Sequence, residues 1–209
     1  IRQIGFSYHG NTEMFCKILD AYDWDFCQVQ YNYLDEHSQA GRRGVEYAHS
    51  KGIPVIIMEP VKGGSLVKLP DDAKKILDDL NGGTPASYAI RFAAGFEGIF
   101  MVLSGMSDMA QMNDNISFMK DFEPLNNTEM TAISKVCEIM NKQNLIPCTA
   151  CRYCVDGCPK NIPIPEIFAC MNDRKQFKDW NAKYYYEDVH IKGKGKASDC
   201  IQCGLCEKA

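Results

Sequence analysis

A run of four cysteines, Cys148-Thr-Ala-Cys151-Arg-Tyr-Cys154-Val-Asp-Gly-Cys158-Pro159, constrains this chain more than any other feature. Its spacing is C-x2-C-x2-C-x3-C-P, and a second series, Cys200, Cys203 and Cys206, repeats the two-residue gaps. These two runs hold seven of the eleven cysteines, and they come after a long stretch of ordinary composition. A secreted disulfide scaffold spreads its cysteines through a small, loop-rich chain, whereas tight triplets point to a metal site in a reducing compartment. Zinc sites set two separated pairs around one ion. Unbroken two-residue gaps let three thiolates converge on one compact cubane, and the trailing Cys-Pro favours iron–sulfur over zinc.

In bacterial two-cluster ferredoxins the fourth cysteine of each run ligates the other cluster. Applied here, Cys158, Cys200, Cys203 and Cys206 would complete one [4Fe–4S] cluster, and Cys148, Cys151 and Cys154 would hold a second. The fourth ligand of that second cluster is expected beyond Ala209. The chain also opens on Ile1-Arg2 without methionine, so an internal fragment of a longer protein is expected. Ile146, Ile162, Ile164 and Ile201 are placed to shield clusters and serve equally well as plain core. Cys16, Cys27, Cys137 and Cys170 have no partner spacing and read as small buried hydrophobes.

With 209 residues the chain has room for one large domain, or a larger and a smaller one. An apolar share of 45% and a charged share of 24% exclude wholesale disorder. The formal charge of −4 supplies no basic field for nucleic acid or an anionic membrane. No apolar run exceeds six residues, against the roughly 20 that span a bilayer.

The first ~120 residues alternate short apolar runs with amphipathic stretches, the pattern of a parallel α/β protein. Strands are expected at Gln3–Ser7, Phe26–Tyr31, Pro54–Glu59 and Ile99–Ser104, each covered on both faces. Helices are expected at Asn11–Ala21, Ser38–Lys51, Asp71–Leu80, from Thr84-Pro85 onward, and at Asp108–Met119. A further helix over Thr128–Lys142, capped by Asn127, leads to a boundary at Asn144-Leu145-Ile146-Pro147. Beyond it only Ile164–Arg174 reads as helix. Residues 1–145 and 146–209 are the two expected domains. Four β/α units without a hairpin predict half of an eight-stranded barrel or a small doubly wound sheet.

With these motifs assembled, the chain resembles the later part of an aldo/keto reductase carrying a C-terminal ferredoxin-type domain. Matching segments are Ile4-Gly5-Phe6-Ser7 (fifth strand), Gln28-Val29-Gln30-Tyr31-Asn32 (sixth) and Met58-Glu59-Pro60-Val61-Lys62-Gly63-Gly64 (seventh). Thr84-Pro85-Ala86 through Ala89-Ile90-Arg91-Phe92 is similar to the helix before the eighth strand. Leu103-Ser104-Gly105-Met106 and Asp114-Asn115 are similar to that strand and its phosphate loop. The fold so implied is α/β: the second half of a TIM-type (β/α)8 barrel, then a small helical dicluster ferredoxin-like domain.

The resemblance also implies a nicotinamide site at the C-terminal barrel mouth. Ser7 and Gln28 would hydrogen-bond the carboxamide, while Glu59, Pro60, Gly63, Gly105, Asp114 and Asn115 would border the rest of the nucleotide. Barrel enzymes do bind phosphate at the loops after strands seven and eight, where helix N-termini offer free amides. Tyr8 stands where the family usually has asparagine, and Met58 where many members stack an aromatic. Gly105 and Gln111 replace the basic residues of NADPH-preferring members, which argues against a strong NADP preference. The family's catalytic Asp, Tyr, Lys and His come from the first four strands, so no catalytic residue is assigned here.

Read residue by residue, Ser7 and Gln28 serve equally to satisfy loop backbone, and Gly63-Gly64 equally as a simple turn. His9, after the fifth strand, reads as a group lining the mouth or as a solvated loop histidine, and His37, His49 and His190 have no companion residues. Lys192, Lys194 and Lys196 read as a flexible solvated loop, or as a lure for an acidic redox partner. Tyr184-Tyr185-Tyr186 with Trp180 reads as packing of the small domain.

The implied parent is an oxidoreductase that moves hydride at a nicotinamide (NAD(P)H) and single electrons through two [4Fe–4S] clusters. Its partners would be a small-molecule substrate and a ferredoxin or flavin carrier, with no nucleic acid and no membrane. Exposed clusters imply a strongly reducing cytoplasm. The competing reading is a non-catalytic iron–sulfur electron-transfer or redox-sensing module on a barrel scaffold.

Overall fold

Short runs of β-branched and apolar residues become strands, and the amphipathic stretches between them become helices. The structure is a computed structural model that describes residues 2–142, 145, 146, 148, 151–177 and 181–208. Strands β1 (Gly5–Tyr8), β2 (Phe26–Gln30), β3 (Val55–Met58) and β4 (Ile99–Val102) form one parallel sheet in sequence order. The register sets Ser7 opposite Gln28 and Gln30 opposite Met58, with an irregularity at Val55/Ile56 where β3 meets β4.

Helices α1 (Thr12–Ala21), α2 (Gly41–Ser50), α3 (Asp71–Asp78), α4 (Pro85–Ala94), α5 (Met109–Met119) and α6 (Asn127–Lys142) connect and follow the strands. Cys27, Val29, Val55 and Ile57 point to one side of the sheet and are fully buried, in a core with Phe15, Val45, Leu77, Ala89 and Val136. The other side is more open, contrary to the expectation of strands covered on both faces. Phe100 and Met101 of the edge strand β4 are 68% and 44% exposed.

Local cap chemistry starts the helices where the sequence places it. Asn11 accepts from the Met14 N–H, Thr84 from the Ser87 N–H ahead of Pro85, and Asp108 from the Gln111 N–H. The cap of α6 is Asn126, not Asn127. Its Oδ1 accepts from the Thr128 and Glu129 N–H groups at 2.9 and 3.0 Å, and Glu129 Oε2 accepts the Asn126 N–H at 2.8 Å. This reciprocal pair is a capping box, and it selects the asparagine three residues before the glutamate. Helix α2 starts later than expected because Gln39 and Gly41 both take left-handed φ values of 56°. A Cβ at Gly41 would also lie 2.8 Å from the Glu36 carbonyl.

Packing separates the chain into two compact units, Ile1–Met140 and Asn141–Ala209. The second contains α7 (Tyr153–Asp156), α8 (Ile164–Phe177), α9 (Asn181–Tyr184) and a π-helical segment at Tyr185–His190. Two 3-10 turns follow at Ala197–Asp199 and Leu205–Glu207. Asn172 on α8 exchanges two 2.8 Å hydrogen bonds with the backbone of Ile146. Ile162 is buried and Ile201 is exposed. Asn144 and Pro147 of the expected boundary, and Trp180, lie outside the described residues. No helix among the described residues is long and apolar enough to cross a membrane.

The buried thiols make a pH prediction. Burial pushes Cys27 up to about 12, and burial with the charge of Glu36 pushes Cys137 up to about 11, from an ordinary 9.0. Above pH 9.0 the unfolded chain ionises first, so stability is intact below that pH and falls as pH rises toward 11–12. Urea titrations across this range should show the decline, and Cys27→Ala should flatten it. An unchanged slope in that variant would contradict the assignment.

Candidate functional site

The carboxyl ends of β1–β3 bring together a polar group of which the sequence predicted only part. Ser7 is exposed at the end of β1, opposite Gln28. Gln28 is half-buried, and its Nε2 donates to the Met58 Sδ at 3.5 Å. Beyond them, Asn32 is fully buried. Its Oδ1 accepts from the Leu34 and Asp35 N–H groups, an Asx turn, while its Nδ2 donates to Asp35 Oδ2 and the Glu59 carbonyl. Asp35 Oδ2 also accepts from Gln30 Nε2 at 3.0 Å and from the Lys62 ammonium at 2.5 Å.

Asn32, Asp35 and Lys62 thus form a closed network that no spacing rule singled out. The local signal was Asn32 three residues ahead of Asp35, immediately after a strand. Glu59, Lys62, Gly63 and Gly64 follow β3 with left-handed φ values of 54°, 50°, 60° and 92°. Such backbone clusters at ligand sites, and a Cβ at Gly63 or Gly64 would meet nothing within 4 Å. Pro60 is buried beneath this turn.

The segment after β4 is already engaged. Gly105 is exposed and faces open space. Asp114 accepts from the Thr84 hydroxyl at 2.6 Å, and Asn115 donates to Ser104 Oγ at 3.0 Å. At the α5 N-terminus the Gln111 N–H is taken by Asp108, and the Ser107 N–H by Gln111 Oε1. The helix end expected to offer free amides is therefore partly satisfied by its own side chains, one of them a carboxylate. A separate cleft of about 530 Å³ between α3 and α6, lined by Ile76, Leu80, Thr128 and Thr131, includes none of these residues.

In the cysteine-rich unit none of the seven predicted ligands is in a disulfide among the described residues. The two runs share one backbone shape. Arg152, after the second cysteine of the first run, has φ 69° and ψ −1° and begins α7. Gly204, at the equivalent place in the second run, has φ 70° and ψ 5° and begins the Leu205–Glu207 turn. These two short turns pack on each other. Cys200 Sγ accepts the Gln202 N–H at 3.4 Å, the amide-to-sulfur contact that tunes cluster potentials. Burial, then the neighbouring Cys148, Cys151 and Cys206, push the Cys154 thiol above its ordinary value.

The left-handed Arg152 is tied by its guanidinium to Glu166 on α8. Burial opposes ionisation of Glu166, yet the Arg152 hydrogen bond and charge, with Lys194 behind them, hold it below the usual carboxylate range.

Comparison with known proteins supplies the rest. The profile of the Aldo/keto reductase family matches residues 1–138, and that of the 4Fe-4S dicluster domain matches residues 147–209. The chain belongs to the aldo/keto reductase family. Among solved structures it is similar to an aldo-keto reductase from Bacillus halodurans in its holo form, with 20% identity and a TM-score of 0.52. That match covers 65% of this chain and 50% of the other. Aldose reductase from Giardia lamblia matches at 18% identity and TM-score 0.52, over 66% of this chain and 45% of that one. A thermostable aldo-keto reductase in complex with the inhibitor epalrestat matches at 17% and 0.51, over 65% and 48%. No curated protein sequence matches the chain. These likenesses establish the fold, and the chain spans about half the length of the reductases it matches.

In this member of the family the four parallel strands are thus a barrel half, followed by the dicluster domain. Its thiols suit iron–sulfur binding in donor chemistry, in the repeated left-handed turns and in the amide bond to Cys200. Among the described residues no three histidine, cysteine, aspartate or glutamate side chains lie close enough to hold one metal ion.

Proposed function

We propose that this chain is the nucleotide-side half of an aldo/keto reductase-type oxidoreductase whose cysteine-rich unit binds two [4Fe–4S] clusters. The observation that carries the reading is the double cysteine cradle, with matched left-handed turns at Arg152 and Gly204. Cys158, Cys200, Cys203 and Cys206 would hold one cluster, and Cys148, Cys151 and Cys154 would bind the other. When bound, such a centre supplies one-electron chemistry.

The chain's own residues then have definite tasks. Gln28 and Ser7, side by side at the strand ends, would orient a nicotinamide carboxamide. Asn32 and Asp35 hold Lys62 and the Glu59–Gly64 turn in shape, leaving open space over Gly63 for a nucleotide. Glu59, Pro60, Gly63, Gly105, Asp114 and Asn115 would border the phosphates and adenosine. The intact enzyme would take a small-molecule substrate and exchange electrons with a ferredoxin or flavin carrier in a reducing cytoplasm.

A second reading, an electron-transfer or redox-sensing module without carbonyl chemistry, is favoured by the self-satisfied α5 N-terminus. Asp108 places a carboxylate where a pyrophosphate would dock. Equilibrium binding of NADH and NADPH to the anaerobically reconstituted chain separates the two. Saturable binding, weakened about tenfold by Gln28→Leu, is the expected result. Loaded clusters without nucleotide binding would favour the module.

A further inference from the structure

We propose that the face formed by Lys160, Lys192, Lys194 and Lys196 is the docking surface for an acidic one-electron carrier protein. The inference rests on the iron–sulfur reading above and adds where the partner binds and what it is like. The lysine loop, open to reading as a flexible solvated segment, is tied to the rest of the unit by two hydrogen bonds and shaped by three more of its own. The Lys194 N–H donates to the Ile191 carbonyl at 2.9 Å, and the Gly195 N–H to the Asn161 carbonyl at 3.1 Å. The Lys196 N–H donates to Asp199 Oδ2 at 2.8 Å, the Ala197 N–H to the Tyr186 hydroxyl at 3.2 Å, and the Asp199 N–H to the Lys196 carbonyl at 3.0 Å. Ile191 and Ile162 are buried beneath it.

Gly195 is the key position. A Cβ there would lie 2.1 Å from the Lys160 carbonyl, so only glycine lets the loop close onto this turn. The turn is Cys158-Pro159-Lys160-Asn161, closed by the Asn161 N–H on the Cys158 carbonyl at 3.0 Å. The loop therefore brings a backbone carrying three exposed lysines against that of a fourth exposed lysine, Lys160, two residues from a proposed cluster ligand.

Among the described residues none of these four lysines forms an ion pair. Glu166 is bonded to Arg152 and also feels the charge of Lys194, and Asp199 caps the backbone of Lys196. Residues 141–209 carry 11 basic against 8 acidic side chains in a chain whose net charge is −4, so the positive sign belongs to this unit. A basic face beside a redox centre raises the encounter rate of acidic partners and fixes their orientation. Each encounter would move one electron, the carrier's gain or loss matching the opposite change on the chain's centre.

The test uses the full chain, reconstituted anaerobically, with flavodoxin as the acidic probe and cytochrome c as the basic one. Affinity is measured by calorimetry at low salt and at about 0.15 M salt. The expected result is flavodoxin binding that weakens with salt and falls about tenfold or more in K192E/K194E/K196E. The neutral triple K192Q/K194Q/K196Q should fall between, with iron content and reduction potential unchanged in both. Three outcomes on a loaded chain overturn the docking surface alone: no flavodoxin binding, binding indifferent to charge reversal, or cytochrome c binding as tightly. A chain that takes up no iron overturns this inference together with the iron–sulfur reading.

Discussion

Glu129→Ala should destabilise the β/α unit by about 3–5 kcal/mol, the usual cost of stranding one member of a buried ion pair. Arg91 on α4 reaches Glu129 on α6 with both terminal nitrogens, at 2.8 and 3.1 Å, and the two side chains are 11% and 9% exposed. Arg91 Nε also donates to the Glu123 carbonyl at 2.8 Å, and Glu129 Oε2 receives the Asn126 N–H that caps α6. Alanine would leave a guanidinium buried without its counter-charge and remove half of the capping box. The corresponding fall in Tm is about 10 °C for a unit of this size. Glu129→Gln keeps part of the hydrogen bonding and should lose less. The double variant Arg91→Met with Glu129→Leu should recover much of the loss, because apolar replacement of a buried pair is often neutral. Urea unfolding followed by circular dichroism gives the numbers, and a loss below about 1 kcal/mol in Glu129→Ala would contradict the account.

Cys158→Ala should strip the chain of the cluster proposed for Cys158, Cys200, Cys203 and Cys206. Metal sites of this kind exist only when folded around their ion, so removing one thiolate loses the centre, not a fraction of its affinity. Retained iron and sulfide should fall by about half or more, with the matching loss of paramagnetic signal after dithionite. Cys16→Ser, on α1 in the other unit, should change neither. Because Cys158 belongs to the first run by sequence but to the second cluster by the crossed assignment, the variant also tests the crossing. Loss of the cluster held by Cys148, Cys151 and Cys154, with the other intact, would reverse it. Chelation of iron from the unaltered chain should make residues 141–209 more sensitive to proteolysis while residues 1–140 stay protected.

Where chemistry is local, the sequence was readable. The four strand cores follow from runs such as Val55–Met58, since a parallel strand needs one apolar side against helices. The starts of α1, α4 and α5 follow from Asn11, Thr84-Pro85 and Asp108, whose side chains reach amides only three residues away. The cysteine runs are equally local, with two residues between successive thiols in each triplet. Reading failed by one residue at Asn126, where the choice between adjacent asparagines was made by Glu129, itself fixed by Arg91. It did not show the hydrogen-bond partners of Asp114 and Asn115, because these, Thr84 and Ser104, are 30 and 11 residues away.

Amino-acid order alone therefore determined the kind of protein this is: alternating β/α units followed by a thiol-rich module spaced for iron and sulfide. Tertiary structure alone decided which polar groups meet. Asp35 gathers Lys62 across 27 residues, and Gly195 folds its flanking lysines onto the Cys158 turn. Periodicity and capping act over a helical turn, and order encodes them directly. Charge pairing and close backbone approach act through space, and they exist only once packing has brought distant segments within a few ångströms.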